Sequence, residues 1–360
     1  MNWRGGDMHD VRNWNSTAGP LVFLKSTIPL SIVVVSIAFF VIAASAQAAP
    51  SGSAADIGCP SIPKGTVGAG GQIVGGPRVP GAPGSRAGGP PRDPYSGMIK
   101  VLFLGDISEG AQNAHEISVG TAMATLSQLA RKNDMMMLIR TDTHNFTKDT
   151  VYGQGDYGKC GPKEAKGRNL NFFDVVVLYV NGELNLNDSQ KKDLLSFVKD
   201  DGKGIVAIHT ATAAGYYWPE YGEMIGGYFD NHPWGVVDTT LIVERPDFPG
   251  MQAFVADPHV RDEMYAMTPT PYSREKVDVL ARLDTSKLDM KNPEVHRTDN
   301  DFPIAWIKNY GKGRVFYSCL GHPDAAWDDP RVQNMYMGAI KWASGQVEYK
   351  VRPHPIPTVK

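Results

Sequence analysis

Four histidines lie beside chain segments that have the composition of buried strands. His209 ends the run Gly-Ile-Val-Ala-Ile-His, His322 follows Gly-Arg-Val-Phe-Tyr-Ser-Cys-Leu-Gly, and His232 lies in Tyr-Phe-Asp-Asn-His-Pro. The fourth, His115, begins a predicted helix after the first predicted strand. Imidazole binds borderline metal ions and transfers protons near neutral pH. The set therefore predicts a metal site or a proton-transfer site, and the alternative for each histidine is a hydrogen-bonded structural role.

The segments that must position these histidines alternate between strand and helix patterns. Apolar, β-rich runs predict strands at 98–104, 135–139, 173–179, 205–208, 241–243, 277–283, 304–307 and 315–319. Apolar residues at helical spacing predict helices at about 115–130, 189–200 and 332–343.

This alternation predicts an α/β fold with three layers. Repeated β–α units with continuous apolar strands indicate a mostly parallel central sheet that is covered by helices on both faces. The last predicted strands follow one another with little helix between them, which indicates a mixed edge. Ligands of such sheets bind outside the carboxyl ends of the strands, so we expect the site there.

Composition excludes several classes of protein. The 360 residues include 36 Lys and Arg against 38 Asp and Glu, so no strong net charge attracts nucleic acid or an anionic bilayer. The three cysteines form no Cys-x-x-Cys pair, which excludes a cysteine-based zinc ribbon and a thioredoxin-type site. We expect a small-molecule ligand and no nucleic-acid partner.

The N-terminal region predicts export. Residues 28–44 are almost purely apolar, basic residues precede them, and Ala46-Gln-Ala48 resembles a cleavage site. We predict that residues 1–48 are a signal peptide cut after Ala48, with an uncleaved membrane anchor at 28–44 as the alternative. Either reading places the rest of the chain in the periplasm or outside the cell.

A linker and a tail flank the predicted domain at 98–345. Residues 49–97 contain 13 Gly and 9 Pro, which predicts a disordered linker, and 346–360 form a C-terminal tail expected to lie at the surface. Cys59 lies in the linker and Cys160 in a Gly-rich loop. A disulfide between them and two unpaired thiols are both consistent with the sequence.

Six segments together resemble the ThuA-like (trehalose utilisation) family. The resemblance covers about Met98 to Gly345 and implies a class I glutamine amidotransferase-like, flavodoxin-related fold. The segments that carry it are Gly204-Ile-Val-Ala-Ile-His-Thr-Ala-Thr, Gly226-Gly-Tyr-Phe-Asp-Asn-His-Pro, Asp262-Glu-Met-Tyr, Pro303-Ile-Ala-Trp, Gly311-Lys-Gly-Arg-Val-Phe-Tyr with Gly321-His, and Trp342-Ala.

The resemblance implies a pocket for a sugar and a divalent metal, zinc or similar. By similarity, the pocket is lined by His115, His209, His232, Glu263 and His322. The first-choice metal ligands are His209, His232 and His322. His115 and Glu263 are the candidate catalytic residues, with Glu263 either a further ligand or a general base. The alternative for Glu263 is a salt bridge to Arg261 or Arg274.

Aromatic and acidic residues near two of the histidines are candidates for sugar binding. Tyr217 and Trp218 follow His209 and have the flat rings that stack on sugars, although such a run also suits packing. Asp324 and Trp327 follow His322 and could bind hydroxyl groups. The alternative is that the Asp-Asp-Pro sequence in this segment caps the final helix.

Glutamine hydrolysis is not expected. Amidotransferases of this fold place a reactive cysteine at the sharp turn between a strand and a helix. Here His209 and Thr210 take that place, and Cys319 is predicted to be a buried, inert thiol.

Two functions remain open at this point. The first is an exported enzyme, in the lyase, isomerase or hydrolase class, that acts on trehalose-related or 3-keto-glycoside sugars with the help of a metal. The second is a non-catalytic carbohydrate-binding or structural module.

Overall fold

The computed structural model describes residues 93–107, 115–151 and 167–357, together with two short paired strands, β1 (Thr66–Val67) and β2 (Ile73–Val74). The predicted signal or anchor, most of the predicted linker, and Cys59 and Cys160 lie outside the described residues. Within the described part, no helix is both long and apolar enough to cross a bilayer.

Eleven further strands and five α-helices follow in the described residues. The strands are β3 (Ile99–Ile107), β4 (Met135–Arg140), β5 (Val175–Asn181), β6 (Gly204–Ile208), β7 (Phe229–Asn231), β8 (Val236–Val243), β9 (His259–Glu263), β10 (Ala266–Met267), β11 (Asp278–Leu283), β12 (Pro303–Tyr310) and β13 (Gly313–Ser318). The helices are α1 (Glu116–Lys132), α2 (Asp188–Lys199), α3 (Pro219–Ile225), α4 (Gln252–Ala256) and α5 (Pro330–Ala343).

Nine strands form one sheet in the order β4-β3-β5-β6-β13-β12-β11-β8-β9. The first five are mutually parallel, and counted along the chain their order is 2-1-3-4-5, the flavodoxin-like arrangement. The other four pair antiparallel, so the predicted mixed edge is a broad half of the sheet. The predicted α/β class and mixed central sheet are confirmed.

Helices cover the parallel half on both faces. The connection from β3 to β4 through α1 and the connection from β5 to β6 through α2 run in opposite directions along the sheet. Because such crossovers are right-handed, α1 and α2 must lie on opposite faces. Helix α1 contacts α5, and α2 contacts α3. The strands between these layers are buried throughout β6 and along nearly all of β5.

The boundaries of α2 follow from its sequence. Asn187 caps the first turn: its side chain accepts the N–H of Gln190, whose side chain in turn accepts the N–H of Asn187. Such a capping box satisfies two backbone donors that the helix leaves unpaired. It begins the helix that leads into β6, and β6 ends at Ile208, directly before His209.

The C-terminal tail packs against the domain through residue 354. The Trp342 indole donates to the carbonyl of Tyr349, and Arg245 donates to the carbonyl of Arg352. The N–H of Arg352 donates to the buried carboxylate of Asp278 at 2.7 Å. No described residue of the tail is buried, so it lies at the surface, where hydrogen bonds of its backbone attach it to the domain.

Candidate metal centre

Four of the side chains singled out in the sequence meet at one point. Candidate ligand atoms of His115, His209, Glu263 and His322 all lie within 4.8 Å of one another. His115 Nε2 is 3.3 Å from His209 Nε2 and 3.1 Å from His322 Nδ1. Glu263 Oε2 is 3.4 Å from the same nitrogen of His209 and 3.3 Å from that of His322.

Three of these residues follow strands of the parallel half of the sheet. His115 follows β3 and immediately precedes α1, His209 follows β6, and His322 follows β13 by a short loop. Glu263 is the last residue of β9, in the antiparallel half. The site therefore lies where the sheet topology predicted it, at the carboxyl ends of the parallel strands, and the antiparallel half adds the carboxylate.

His209 has an unusual backbone conformation. Its φ is 47°, in the left-handed region, where a residue with a Cβ is uncommon and costs about 1–3 kcal/mol. It forms the turn from β6 into the 3-10 helix His209–Ala213. The turn directs the imidazole into the cluster, where the residue is fully buried.

Two hydrogen bonds define the state of the His209 ring. Nδ1 lies 2.6 Å from the carbonyl oxygen of Cys319, and because a carbonyl only accepts, Nδ1 carries the hydrogen. In the neutral imidazole Nε2 then presents its lone pair to the cluster. The hydroxyl of Tyr265 lies 2.8 Å from that Nε2 and donates to it.

A buried aspartate holds the loop that carries His322. Asp262 Oδ2 accepts the N–H of Gly321 at 2.7 Å, and Oδ1 accepts the N–H of His322 at 3.0 Å. Gly321 has a φ of 127°, which favours glycine, and its carbonyl accepts from Tyr179 and Trp327. The backbone beside His322 is thus fixed from two sides.

The cluster is electrically suited to a cation. Burial, together with the neighbouring His209 and His322, lowers the pKa of His115 to about 4. Burial also lowers the pKa of His322, against the opposing charge of Glu263. Burial alone would raise the pKa of Glu263, but the hydrogen bond and charge of His209, with the other histidines, bring it to about 2. At neutral pH His115 and His322 are therefore neutral imidazoles beside the carboxylate of Glu263.

The donor set fits one divalent ion. With bonds of about 2.1 Å, neighbouring ligands of one ion lie about 3.0–3.4 Å apart. Four of the six separations among the three ring nitrogens and Glu263 Oε2 are 3.1–3.4 Å, and all lie within 4.8 Å. Three imidazole nitrogens and one carboxylate oxygen suit zinc and other borderline divalent metals.

Comparison with known protein families identifies the chain. The sequence model of ThuA, described as trehalose utilisation, matches residues 107–343. The chain belongs to the ThuA family. The match includes all four residues of the cluster.

Two solved structures are similar to this chain. A ThuA-like protein from Bacteroides uniformis ATCC 8492 has a TM-score of 0.51 at 20% identity, covering 72% of this chain and 95% of that protein. A ThuA-like protein from Parabacteroides merdae ATCC 43184 has a TM-score of 0.47 at 18% identity, covering 72% and 94%. A comparison with curated proteins gives no match.

His232 of this ThuA domain lies at the rim of the cluster. Its Nε2 is 3.7 Å from Glu263 Oε1, and half of its side chain is exposed. The structure therefore brings His115, predicted as catalytic, into the group of four, and leaves His232, predicted as a ligand, just outside it.

The arginines proposed as alternative partners of Glu263 are engaged elsewhere. Arg261 pairs with Asp238 at the surface, at 2.5 Å. Arg274 bridges Glu244 and Asp301, both almost fully buried. The ionic contacts of Glu263 are with histidines, which favours a role in the ThuA site over a structural salt bridge.

The predicted sugar-binding aromatic residues have different environments. Tyr217 is 89% exposed, so its ring is accessible to a ligand. Trp218 is buried, with its ring stacked on Tyr221 and beneath the ammonium group of Lys191. Trp327 is fully buried, stacks on Tyr336, and donates to the carbonyl of Gly321. Burial favours packing for both tryptophans over the predicted contact with a sugar.

The acidic residues after His322 divide between two environments. Asp324 is exposed, and its carboxylate accepts the N–H of Ala325. Asp329 caps α5, since its side chain accepts the N–H of Arg331 at 2.8 Å. The capping alternative for this acidic segment therefore holds for Asp329.

Cys319 is a buried free thiol, as predicted. Burial raises the pKa of this thiol well above its ordinary value, and nearby Asp262 adds to the effect. It follows β13, and its carbonyl rather than its sulfur contacts His209. A neutral thiol of this kind is a poor nucleophile.

Two residues of the ThuA site were not predicted. Asp262 and Tyr265 lie in the Asp-Glu-Met-Tyr segment, from which only Glu263 was given a role. Asp262 is 1% exposed, and burial raises its pKa to about 6, against the lowering effect of His209 and three backbone N–H groups. The sequence feature that could have identified Asp262 and Tyr265 was their position within two residues of Glu263, a candidate metal ligand.

Proposed function

We propose that this chain is an exported enzyme that acts on a keto-sugar or glycoside with a divalent metal held by His115, His209, Glu263 and His322. The observation that carries the proposal is the convergence of these four donors at ligand spacing. The description of the family as trehalose utilisation supports a carbohydrate as the substrate.

A metal at this place suits the chemistry of sugars. When bound, the ion would supply a Lewis acid that polarises a carbonyl or vicinal hydroxyl groups. The protein's part is to hold the four donors fixed: Cys319 orients His209 through its carbonyl, and Asp262 fixes the backbone of His322. Outer hydrogen bonds of this kind set the orientation of metal ligands.

His232 is the side chain best placed to move a proton. It lies outside the four donors, with its Nε2 3.7 Å from Glu263 Oε1, and half of its side chain is exposed. Imidazole is the most common general base in enzymes. We assign proton transfer to His232 because His115 and Glu263 are committed to the proposed ligand set.

The proposed reaction begins next to a ketone. His232 Nε2 takes a proton from the carbon beside the carbonyl, the C–H electron pair forms a C=C bond, and the C=O π pair moves onto oxygen. Return of the proton to the former carbonyl carbon, with transfer of the proton of the neighbouring hydroxyl group to the former carbonyl oxygen, makes the neighbouring carbon the new carbonyl and completes an isomerisation. An elimination is completed instead when a leaving group departs from the β-carbon and takes up the proton held by His232.

Metal analysis combined with substitution tests this function. We expect about one equivalent of metal in protein purified without chelator, and loss of both metal and turnover of a 3-keto-glycoside in His209→Ala. His259→Ala is the matched control, because His259 is an exposed histidine of the same sheet whose ring contacts only Thr240 among the described hydrogen bonds. Retention of metal and turnover by His209→Ala would refute the proposal.

The second candidate function is a non-catalytic carbohydrate-binding module. The exposed ring of Tyr217 favours it, since such rings bind sugars without any metal. Sugar binding that persists in His209→Ala and after metal removal, without turnover in the native protein, would establish this function instead.

Export is tested separately at the N-terminus. The proposal of export rests on the apolar run 28–44 and the Ala46-Gln-Ala48 sequence. Mass spectrometry of the mature protein from its native envelope fraction should find a chain that begins at Ala49. An intact N-terminus in a membrane fraction would instead support the anchor, and recovery from the cytoplasm would contradict both.

A further inference from the structure

The hydroxyl of Tyr265 forms a hydrogen bond with Nε2 of His209, the ring nitrogen through which His209 would bind a metal. The oxygen lies 2.8 Å from His209 Nε2, and the phenol ring packs against the imidazole with centroids 4.4 Å apart. Phe229 packs on the same phenol ring at 4.3 Å, and the residue is only 2% exposed. The hydroxyl is therefore held in place at the inner wall of the cluster.

The other side of the imidazole leaves one nitrogen for a metal. His209 Nδ1 gives its hydrogen to the carbonyl of Cys319 at 2.6 Å, so Nε2 is the ring atom that remains for a cation. Nε2 cannot share a hydrogen bond with the Tyr265 hydroxyl and bind a cation at the same time, so metal binding has to release the O–H of Tyr265.

The released hydroxyl needs a new acceptor. A buried donor that loses its partner carries a substantial free-energy penalty. The packing of His209 and Phe229 around the ring keeps the oxygen beside the centre of the cluster. A phenol keeps its proton at neutral pH and can donate.

We propose that Tyr265 is a catalytic residue whose O–H passes from His209 to the substrate oxygen on which negative charge develops. This inference rests on the proposed function. It assigns the phenol the role of an oxyanion donor, which stabilises the charge that forms when the C=O π pair moves onto oxygen. Donors fixed before the reaction contribute most to such stabilisation, because they need no rearrangement in the transition state.

Tyr265→Phe tests the proposal because it should raise the affinity for metal and lower kcat. Co²⁺ titration of the metal-free protein should show affinity about two- to tenfold tighter than wild type, since no phenol bond has to be broken. With a 3-keto-glycoside, kcat should fall by about 10²- to 10³-fold with little change in KM. Tyr272→Phe is the control, because it removes a buried phenol hydrogen bond, to Asp301, outside the site.

The outcomes separate the two proposals. Weaker Co²⁺ binding by Tyr265→Phe would show that the phenol merely positions His209 and would overturn this inference. Unchanged kcat with normal metal content would also overturn it, and the proposed metal enzyme would stand. Absence of metal binding and turnover in the wild-type protein would overturn the proposed function together with the role of Tyr265.

Discussion

The carboxylate of Asp262 fixes the backbone of His322, which lies 60 residues further along the chain. Asp262 Oδ1 accepts the N–H of His322 at 3.0 Å, while the other oxygen accepts the N–H of Gly321. The aspartate is the next-to-last residue of β9, beside Glu263. One short segment of the antiparallel half thus provides the carboxylate of the cluster and holds the loop of a histidine.

Asp262→Asn should weaken metal binding by about 10- to 100-fold. An amide has only one accepting oxygen, so its NH₂ group would face one of the backbone N–H donors of Gly321 or His322. Metal titration measures the effect, and circular dichroism checks the fold. Asp238→Asn, an exposed aspartate paired with Arg261, is the matched control and should bind as wild type does. Equal affinities in the two variants would contradict the role of Asp262.

Arg274→Met should lower the free energy of unfolding by about 3–5 kcal/mol. The substitution removes the ion pair of Arg274 with Asp301 and one of the arginines beside Glu244. The side chain of Asp301 is 2% exposed and that of Glu244 is 1% exposed. Denaturant unfolding measures the loss. Arg261→Met is the control: its ion pair with Asp238 is exposed, so we expect a change below about 1 kcal/mol. Similar effects of both substitutions would argue against the buried network.

Lys308→Met should stabilise the protein at pH 7. Burial lowers the pKa of Lys308 to about 8, and the charge of Glu223 only partly offsets this. Between about pH 8 and the ordinary lysine value near 10.4, the unfolded chain binds more protons, so stability of the wild type rises with pH. Below pH 8 the cost of the buried charge is fully present, about 3 kcal/mol.

The loss of the hydrogen bond from Lys308 to the carbonyl of Glu223 reduces the gain. We therefore expect an increase of about 1–3 kcal/mol at pH 7, and a flatter stability profile between pH 8 and 10. Lys276→Met, at an exposed lysine paired with the Glu223 side chain, is the control. A profile in the Lys308 variant as steep as in wild type would contradict the assignment.

Trp327→Ala and Tyr217→Ala should act on different properties. Trp327 is fully buried, so truncation should cost about 3–5 kcal/mol of stability. Tyr217 is 89% exposed, so its truncation should change stability by less than about 0.5 kcal/mol, while sugar affinity falls if the ring stacks on the ligand. Thermal unfolding and sugar titration separate the effects, and normal stability of Trp327→Ala would refute a core role.

The parallel strands were predictable because their sequences are locally distinctive. The apolar runs before His209 and His322 match β6 and β13 to within two residues at each end. Strand β9 was not predicted, because His-Val-Arg-Asp-Glu has only one strongly apolar residue and its strand conformation depends on pairing with β8. The carboxylate of the site therefore belongs to an element that only tertiary structure reveals.

The composition of the cluster was predictable in part. Histidines after strands were the right residues to consider, because sheet topology brings strand ends together. The inclusion of His115 and the position of His232 at the rim depend on side-chain directions that spacing does not encode. Burial of Trp218 and Trp327 has the same origin, since sequence alone does not show which face of a ring is covered.

The packed tail decides where a recombinant version of this protein can be cut. A fragment that stops at residue 345, close to the end of the family match at 343, would leave the carboxylate of Asp278 without the Arg352 N–H. It would also leave the Trp342 indole without the carbonyl of Tyr349. Fragments for crystallisation or binding assays should therefore extend through His354, whose side chain lies beside Glu244 and Asp278.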